Sequence, residues 1–142
     1  MKIGPRKVPS KTMSMMKRSL SLMLLLLSAA SLLAAVGGDW LSQVPAHDRQ
    51  KTNPFTGQPE AIQAGRLLYL DHCAQCHGKN ADGTKSRPSL RSQRVQSDSS
   101  EGDVHWLLVN GNIRRGMPSW SKLPDQQLWQ LVSYLRSLKT QE

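Results

Sequence analysis

Hydrophobic and polar positions divide the chain into three unequal stretches. Apolar residues dominate from Leu20 to Val36, with Leu24 to Leu27 at the centre. From Asp39 to Gln58 the chain is polar, is broken by Pro45, Pro54 and Gly57, and shows no apolar period, which is the pattern of a linker. Residues 59–142 carry three helical patterns and no convincing strand or internal repeat. The first starts at Pro59-Glu60, a proline and an acid where a helix N-terminus favours them, and runs through Ala61, Ile62, Gly65, Leu68 and Tyr69 toward Cys73. The second spans about Glu101 to Asn110, with Ser99 or Ser100 as cap, Val104, Leu107 and Leu108 on one side and Gly111 as the stop. The third follows Pro124-Asp125 and places Leu128, Leu131, Val132, Leu135 and Leu138 at i, i+3, i+4 and i+7 spacing. A polar stretch from Gly78 to Asp98 and a loop holding Gly116-Met117-Pro118 separate them. Three short helices joined by two such loops make a poor core alone, so something must fill the middle.

Charge changes the picture only at the start of the chain. The formal charge of +9 would point to nucleic acid or an anionic membrane if it were spread over a folded surface. Six of the 19 basic residues lie before position 20, however, and none of the 10 acidic residues precedes Asp39. A product beginning near Gly38 would carry +3, an ordinary balance that leaves the nucleic-acid reading without its main support. A basic flank, an apolar run and small residues at Ala34, Ala35, Gly37 and Gly38 read as an export leader over residues 1–37, with Ala35-Val36-Gly37 as the cleavage site. An uncleaved anchor is the competing reading, because the run is only slightly shorter than the ~20 residues of a spanning helix. Either way the C-terminal part is exported, since the positive flank stays in the cytoplasm. That places it in the periplasm or on the outer face of the cytoplasmic membrane. Residues 38–58 then form the linker and 59–142 the functional domain.

The chemistry lies in Cys73-Ala74-Gln75-Cys76-His77, which contains both cysteines of the chain. C-x-x-C-H is the attachment motif for c-type haem. Two intervening residues let both sulfurs reach the vinyl groups along one porphyrin edge, and the histidine that follows falls under the iron. A structural disulfide, a thioredoxin-like C-x-x-C and a zinc site are the alternatives. The redox motif wants a strand-helix-strand context, and zinc would have to recruit the scattered His47, His72 or His105. Export, motif and missing core together favour one covalent haem c.

An electron-carrying iron needs a sixth ligand. Beyond the leader the single methionine is Met117, 40 residues after His77 and held in a Gly-Met-Pro turn. A thioether there would raise the potential, whereas a methionine filling a core gap usually sits within a periodic helix. His72 is too near His77 to reach the opposite face. His105 is the rival ligand and would give a lower potential.

In order, Gly65-x-x-x-Tyr69-x-x-x-Cys73-Ala74-Gln75-Cys76-His77-Gly78, Arg87-Pro88-Ser89-Leu90, Gly116-Met117-Pro118-Ser119-Trp120 and Leu131-Val132-Ser133-Tyr134-Leu135 resemble a class I c-type cytochrome, over roughly 80 residues. The resemblance implies an all-α cytochrome c fold, short helices around one covalently bound haem, in which the first and last helices cross at Gly65. It implies covalent attachment at Cys73 and Cys76, axial ligation by His77 and Met117, and a hydrogen bond from the free His77 ring nitrogen to the Pro88 carbonyl. A plain turn is the other reading of Pro88. Trp120 and Trp129 are expected as haem-pocket and core aromatics, with Trp106 as a further lining residue. Arg114 and Arg115 replace the lysines common in this family near the methionine loop, and their default reading is a solvated surface.

The function implied is carriage of one electron between periplasmic redox proteins, such as a quinoprotein dehydrogenase or a terminal oxidase. The alternatives are a sensor or peroxidase-like enzyme with an open iron site, or an accessory haem subunit of a larger oxidoreductase. A peroxidase of this compartment usually carries two haem motifs, and this chain has one.

Overall fold

A computed structural model describes residues 39–139. The expected leader, residues 1–37 with the 20–36 apolar run, lies outside them. Six helices occur among the described residues: α1 (Ala46–Arg49), α2 (Pro59–His72), α3 (Ala74–His77), α4 (Gln93–Gln96), α5 (Glu101–Asn110) and α6 (Asp125–Ser137). Short 3-10 turns at Trp40–Gln43 and Ile113–Arg115 complete the set. No β-strand forms among these residues; two isolated antiparallel bridges, Thr84 to Arg87 and Asn112 to Met117, pinch the two long loops.

The framework is the pair α2 and α6. Helix α2 has Pro59 in its first turn with Glu60 beside it and buries Ala61, Gly65 and Tyr69, a stripe at four-residue spacing. Helix α6 buries Leu128, Leu131, Val132 and Leu135 as its period requires, together with Trp129, Ser133 and Tyr134. The helices cross at Gly65: a Cβ there would lie 1.9 Å from the Gln130 carbonyl oxygen and 2.9 Å from the Tyr134 Cβ. Only glycine permits backbones this close. The Tyr69 and Tyr134 rings meet beside the crossing, with centroids 5.2 Å apart.

Helix α5 closes the core with Val104 and Leu108. Its start is a capping box: the Ser100 hydroxyl accepts from the Asp103 N–H at 3.0 Å, and the Asp103 carboxylate accepts from the Ser100 N–H at 2.7 Å. It stops at Gly111, whose φ of 70° is open to glycine and strained for other residues.

Residues 39–58, expected as a linker, are packed against these helices. Val44 is buried, and a Cβ at Gly102 would strike the Asp48 carbonyl oxygen at 2.0 Å. Arg49 Nε lies 3.2 Å from the buried Asp103 Oδ1, and the Ser100 hydroxyl donates to the Arg49 carbonyl at 2.8 Å. Asn53 is buried as a staple. Its Nδ2 donates to the Ser133 hydroxyl at 2.9 Å and the Trp129 carbonyl at 3.2 Å, while its Oδ1 accepts from the Phe55 N–H at 2.9 Å. Apart from Val44 and Phe55 the strap is held by polar and backbone contacts, so it leaves no apolar period in the sequence.

Candidate functional site

Cys73 is the hinge between α2 and α3. Its N–H still donates to the Tyr69 carbonyl at 2.9 Å, and its own carbonyl accepts from Cys76 and His77 at 3.1 and 3.0 Å. The motif therefore winds into one helical turn, in which residues three apart share a face. No disulfide joins Cys73 and Cys76. Cys73 is half-buried, and its thiol is pushed up to about 12, first by burial and then by the neighbouring Cys76; Cys76 itself is exposed. Among the described residues no group of three or more His, Cys, Asp or Glu side chains gathers as a metal site, so the zinc reading finds no ligand set there.

The turn ends at Gly78 with φ 79°, and the chain doubles back. Tyr69 ties this corner to α2 by donating its hydroxyl to the Gly78 carbonyl at 2.5 Å. Gly83, at φ 82°, donates to the His77 carbonyl at 2.9 Å; a Cβ on it would meet Arg87 O at 2.7 Å and Ser89 N at 2.6 Å. That tight fold carries Pro88 over His77, with the Pro88 carbonyl oxygen 3.0 Å from Nδ1. A carbonyl only accepts, so Nδ1 carries the proton and Nε2 keeps its lone pair for another partner.

Met117 sits in a second pinched loop. Its carbonyl accepts from Asn112 N–H at 2.9 Å and its N–H donates to the Asn112 carbonyl at 3.0 Å. Gly111 and Gly116 flank the loop at φ 70° and 73°. The Met117 side chain is half-buried against the core, as are Leu68, Cys73, Leu90 and Trp120. Two links join this loop to the attachment turn. The Trp120 ring lies 5.0 Å from that of His72, at the end of α2, and the Arg87 guanidinium donates to the Arg115 carbonyl.

The expected rival ligand has other work. His105 is 5% exposed, stacks on Trp129 at 4.0 Å, and its Nε2 lies 2.9 Å from Asp125 Oδ1. Burial pulls its pKa below the ordinary histidine value, against the opposing pull of Asp125. Trp129 is thus a core aromatic, whereas Trp120 lies beside the attachment turn. Arg114 and Arg115 are exposed at the loop tip with Ile113. The bonding of Asn53 and of the Arg87 side chain leaves no local trace in the sequence, because their partners lie far along the chain.

The donor set fits a c-type haem. Two uncrosslinked thiols three residues apart precede an imidazole whose Nδ1 is satisfied, and a half-buried thioether stands on a separate loop. Cys73, Cys76, His77 and Met117 are the residues that would hold it. The comparisons bear on the cofactor and the family. Residues 60–135 match the family described as cytochrome c oxidase, cbb3-type, subunit III. Cytochrome c550 of Pseudomonas aeruginosa is 29% identical over 117 residues, covering 78% of this chain and 74% of that protein. The quinohemoprotein alcohol dehydrogenase ADH IIB of Pseudomonas putida is 32% identical over 95 residues, 66% of this chain and 13% of the relative. The cbb3-type cytochrome c oxidase subunit FixP of Rhizobium meliloti is 29% identical over 83 residues, 57% of this chain and 29% of the relative.

Proposed function

The chain belongs to the family of the cbb3-type cytochrome c oxidase subunit III, a c-type cytochrome domain, and from that membership we propose an exported one-electron carrier with haem bound through Cys73, Cys76, His77 and Met117. The single observation that best supports the site assignment is the Pro88 carbonyl 3.0 Å from His77 Nδ1, which leaves the Nε2 lone pair available on a fixed ring. Haem, when bound, supplies a one-electron couple at neutral pH.

The residues supply the rest. The Pro88 hydrogen bond fixes the imidazole ring and raises its basicity. Met117 would contribute a soft thioether, which would favour the reduced metal and raise the potential. With His77 and Met117 both holding the iron, no open position would be left for a substrate atom. Thioether bonds from Cys73 and Cys76 would keep the cofactor from dissociating.

The partners are redox proteins. The relatives include a quinohemoprotein dehydrogenase and an oxidase subunit, which supports donors and acceptors of those classes. The match to a subunit family also favours a second arrangement, in which the same carrier works as an accessory haem subunit of an oxidoreductase. The basic and apolar pattern of residues 1–37 supports export to the periplasm, cleaved or as an anchor, ahead of a cytochrome domain that takes in the packed residues 39–58.

Protein-film voltammetry, beside carbon monoxide binding and peroxidase assays, tests this reading. A reversible one-electron wave, slow or absent carbon monoxide binding and no peroxide turnover are expected. Rapid carbon monoxide binding with turnover would establish an open-site enzyme or sensor instead.

A further inference from the structure

Arg87 stands one residue before the carbonyl that engages His77, yet its side chain leaves its own loop. The backbone at Arg87 is fixed, since its carbonyl accepts from Thr84 N–H at 2.9 Å inside the bridge that pinches the loop. From there the guanidinium crosses to the methionine loop. Nη1 donates to the Arg115 carbonyl, and the group lies so close over Gly116 that a Cβ there would meet Nη1 at 2.8 Å and Nη2 at 3.0 Å. Arg115 and Gly116 immediately precede Met117.

We infer that Arg87 is the positioning residue that holds the Met117 loop in its ligating arrangement. The inference rests on the assignment of Met117 proposed above. The loop is pinned at its base by the paired bonds of Asn112 with Met117 and at its crown by Arg87. Between those pins stands Gly116, and with Gly111 on the flank the segment has a wide choice of backbone conformations once a pin is released. No carboxylate pairs with Arg87 among the described residues. Its bond is to a backbone carbonyl, which fixes geometry without neutralising charge. The planar, five-donor guanidinium suits that task, and the single point charge of lysine does not reproduce it. Gly116 belongs to the same device, because the guanidinium occupies the space that a side chain would fill.

The test uses the haem-loaded protein and asks how easily an external ligand displaces the thioether. Imidazole is titrated into the oxidised wild type and into the Arg87→Ala, Arg87→Lys and Met117→Ala variants, with the thioether-to-iron absorption band as readout. Far-UV circular dichroism follows global unfolding in parallel. Loss of one hydrogen bond with a charged donor should tighten imidazole binding in Arg87→Ala by about tenfold. The thioether band should also vanish well below the unfolding temperature, and Arg87→Lys should fall between Arg87→Ala and the wild type. If Arg87→Ala does not load haem, Arg87→Lys carries the same comparison at preserved charge. A spectrum of Met117→Ala identical to wild type would overturn the ligand assignment and this inference with it. If Met117→Ala changes as expected while the Arg87 variants bind imidazole like wild type and lose only unfolding temperature, Arg87 is merely structural and this inference alone falls.

Discussion

Replacing Gly65 by alanine adds one methyl group to α2 at the point where α6 crosses it. The new carbon would lie 1.9 Å from Gln130 O, 2.6 Å from Gln130 C and 2.9 Å from Tyr134 Cβ. An ordinary carbon-to-oxygen contact is about 3.3 Å, so relief requires a shift of roughly 1.4 Å between the helices. Two of the three obstacles are backbone atoms, and no rotamer change moves them. Helix α6 itself must give way, which loosens Leu131 and Tyr134 against α2 and separates the tyrosine pair. Gaps of about 1 Å forfeit a quarter to a half of each dispersion contact, and overpacking of this type costs ~1–3 kcal/mol. Alanine returns about 1 kcal/mol of helix propensity over glycine. With backbone as the obstacle the strain falls at the upper end, leaving a net loss of about 2 kcal/mol. For a domain of this size that is on the order of 10 °C in Tm. Urea and thermal unfolding of the haem-loaded protein measure it, with the exposed Gln63→Ala on the same helix as control, expected within about 0.5 kcal/mol of wild type. A Gly65→Ala protein as stable as that control would refute the close crossing.

Two further outcomes concern the strap and the buried histidine. Asn53→Ala should lose about 2 kcal/mol, because it strips the Ser133 hydroxyl and the Trp129 carbonyl of a buried partner, and urea unfolding reads the loss. His105 is held below the ordinary histidine pKa, mainly by burial, so the unfolded chain binds its proton more readily than the folded one. Its contribution to stability is therefore complete above about pH 6.5 and falls as the pH drops through that value toward the lower folded pKa. The urea midpoint of wild type should decline relative to His105→Gln over that window; parallel curves would contradict the assignment.

The sequence carried the long helices because each buries an apolar stripe against the others, and that burial writes itself as a 3.6-residue period. Ser100 and Gly111 marked the ends of α5 for equally local reasons: a side-chain cap and a positive φ. Cys73, Cys76 and His77 stood out in the sequence as a motif of fixed spacing, and the structure winds them into one turn. The strap was not legible, since Asn53 acts on Trp129 and Ser133, about 80 residues away, through hydrogen bonds that have no period. Gln96 is similar. It sits buried with Nε2 donating to the Leu90 and Leu135 carbonyls, a pattern visible only after α4 has folded against α6. Arg87 was legible as part of a motif and not as a clamp, because its partner is a backbone carbonyl 28 residues on. His105 read as a candidate ligand because histidine type is local information and the company of Asp125 and Trp129 is not.

Covalent haem at Cys73 and Cys76 is open to direct measurement. Protein exported and matured with its attachment machinery should be denatured, extracted with acidified acetone and weighed by mass spectrometry beside Cys76→Ser. The colour should stay with the polypeptide and the wild-type mass should exceed the chain by one haem, while the reduced pyridine spectrum reports two thioether bonds. Complete extraction of the colour, with a mass showing only a Cys73–Cys76 disulfide, would contradict it.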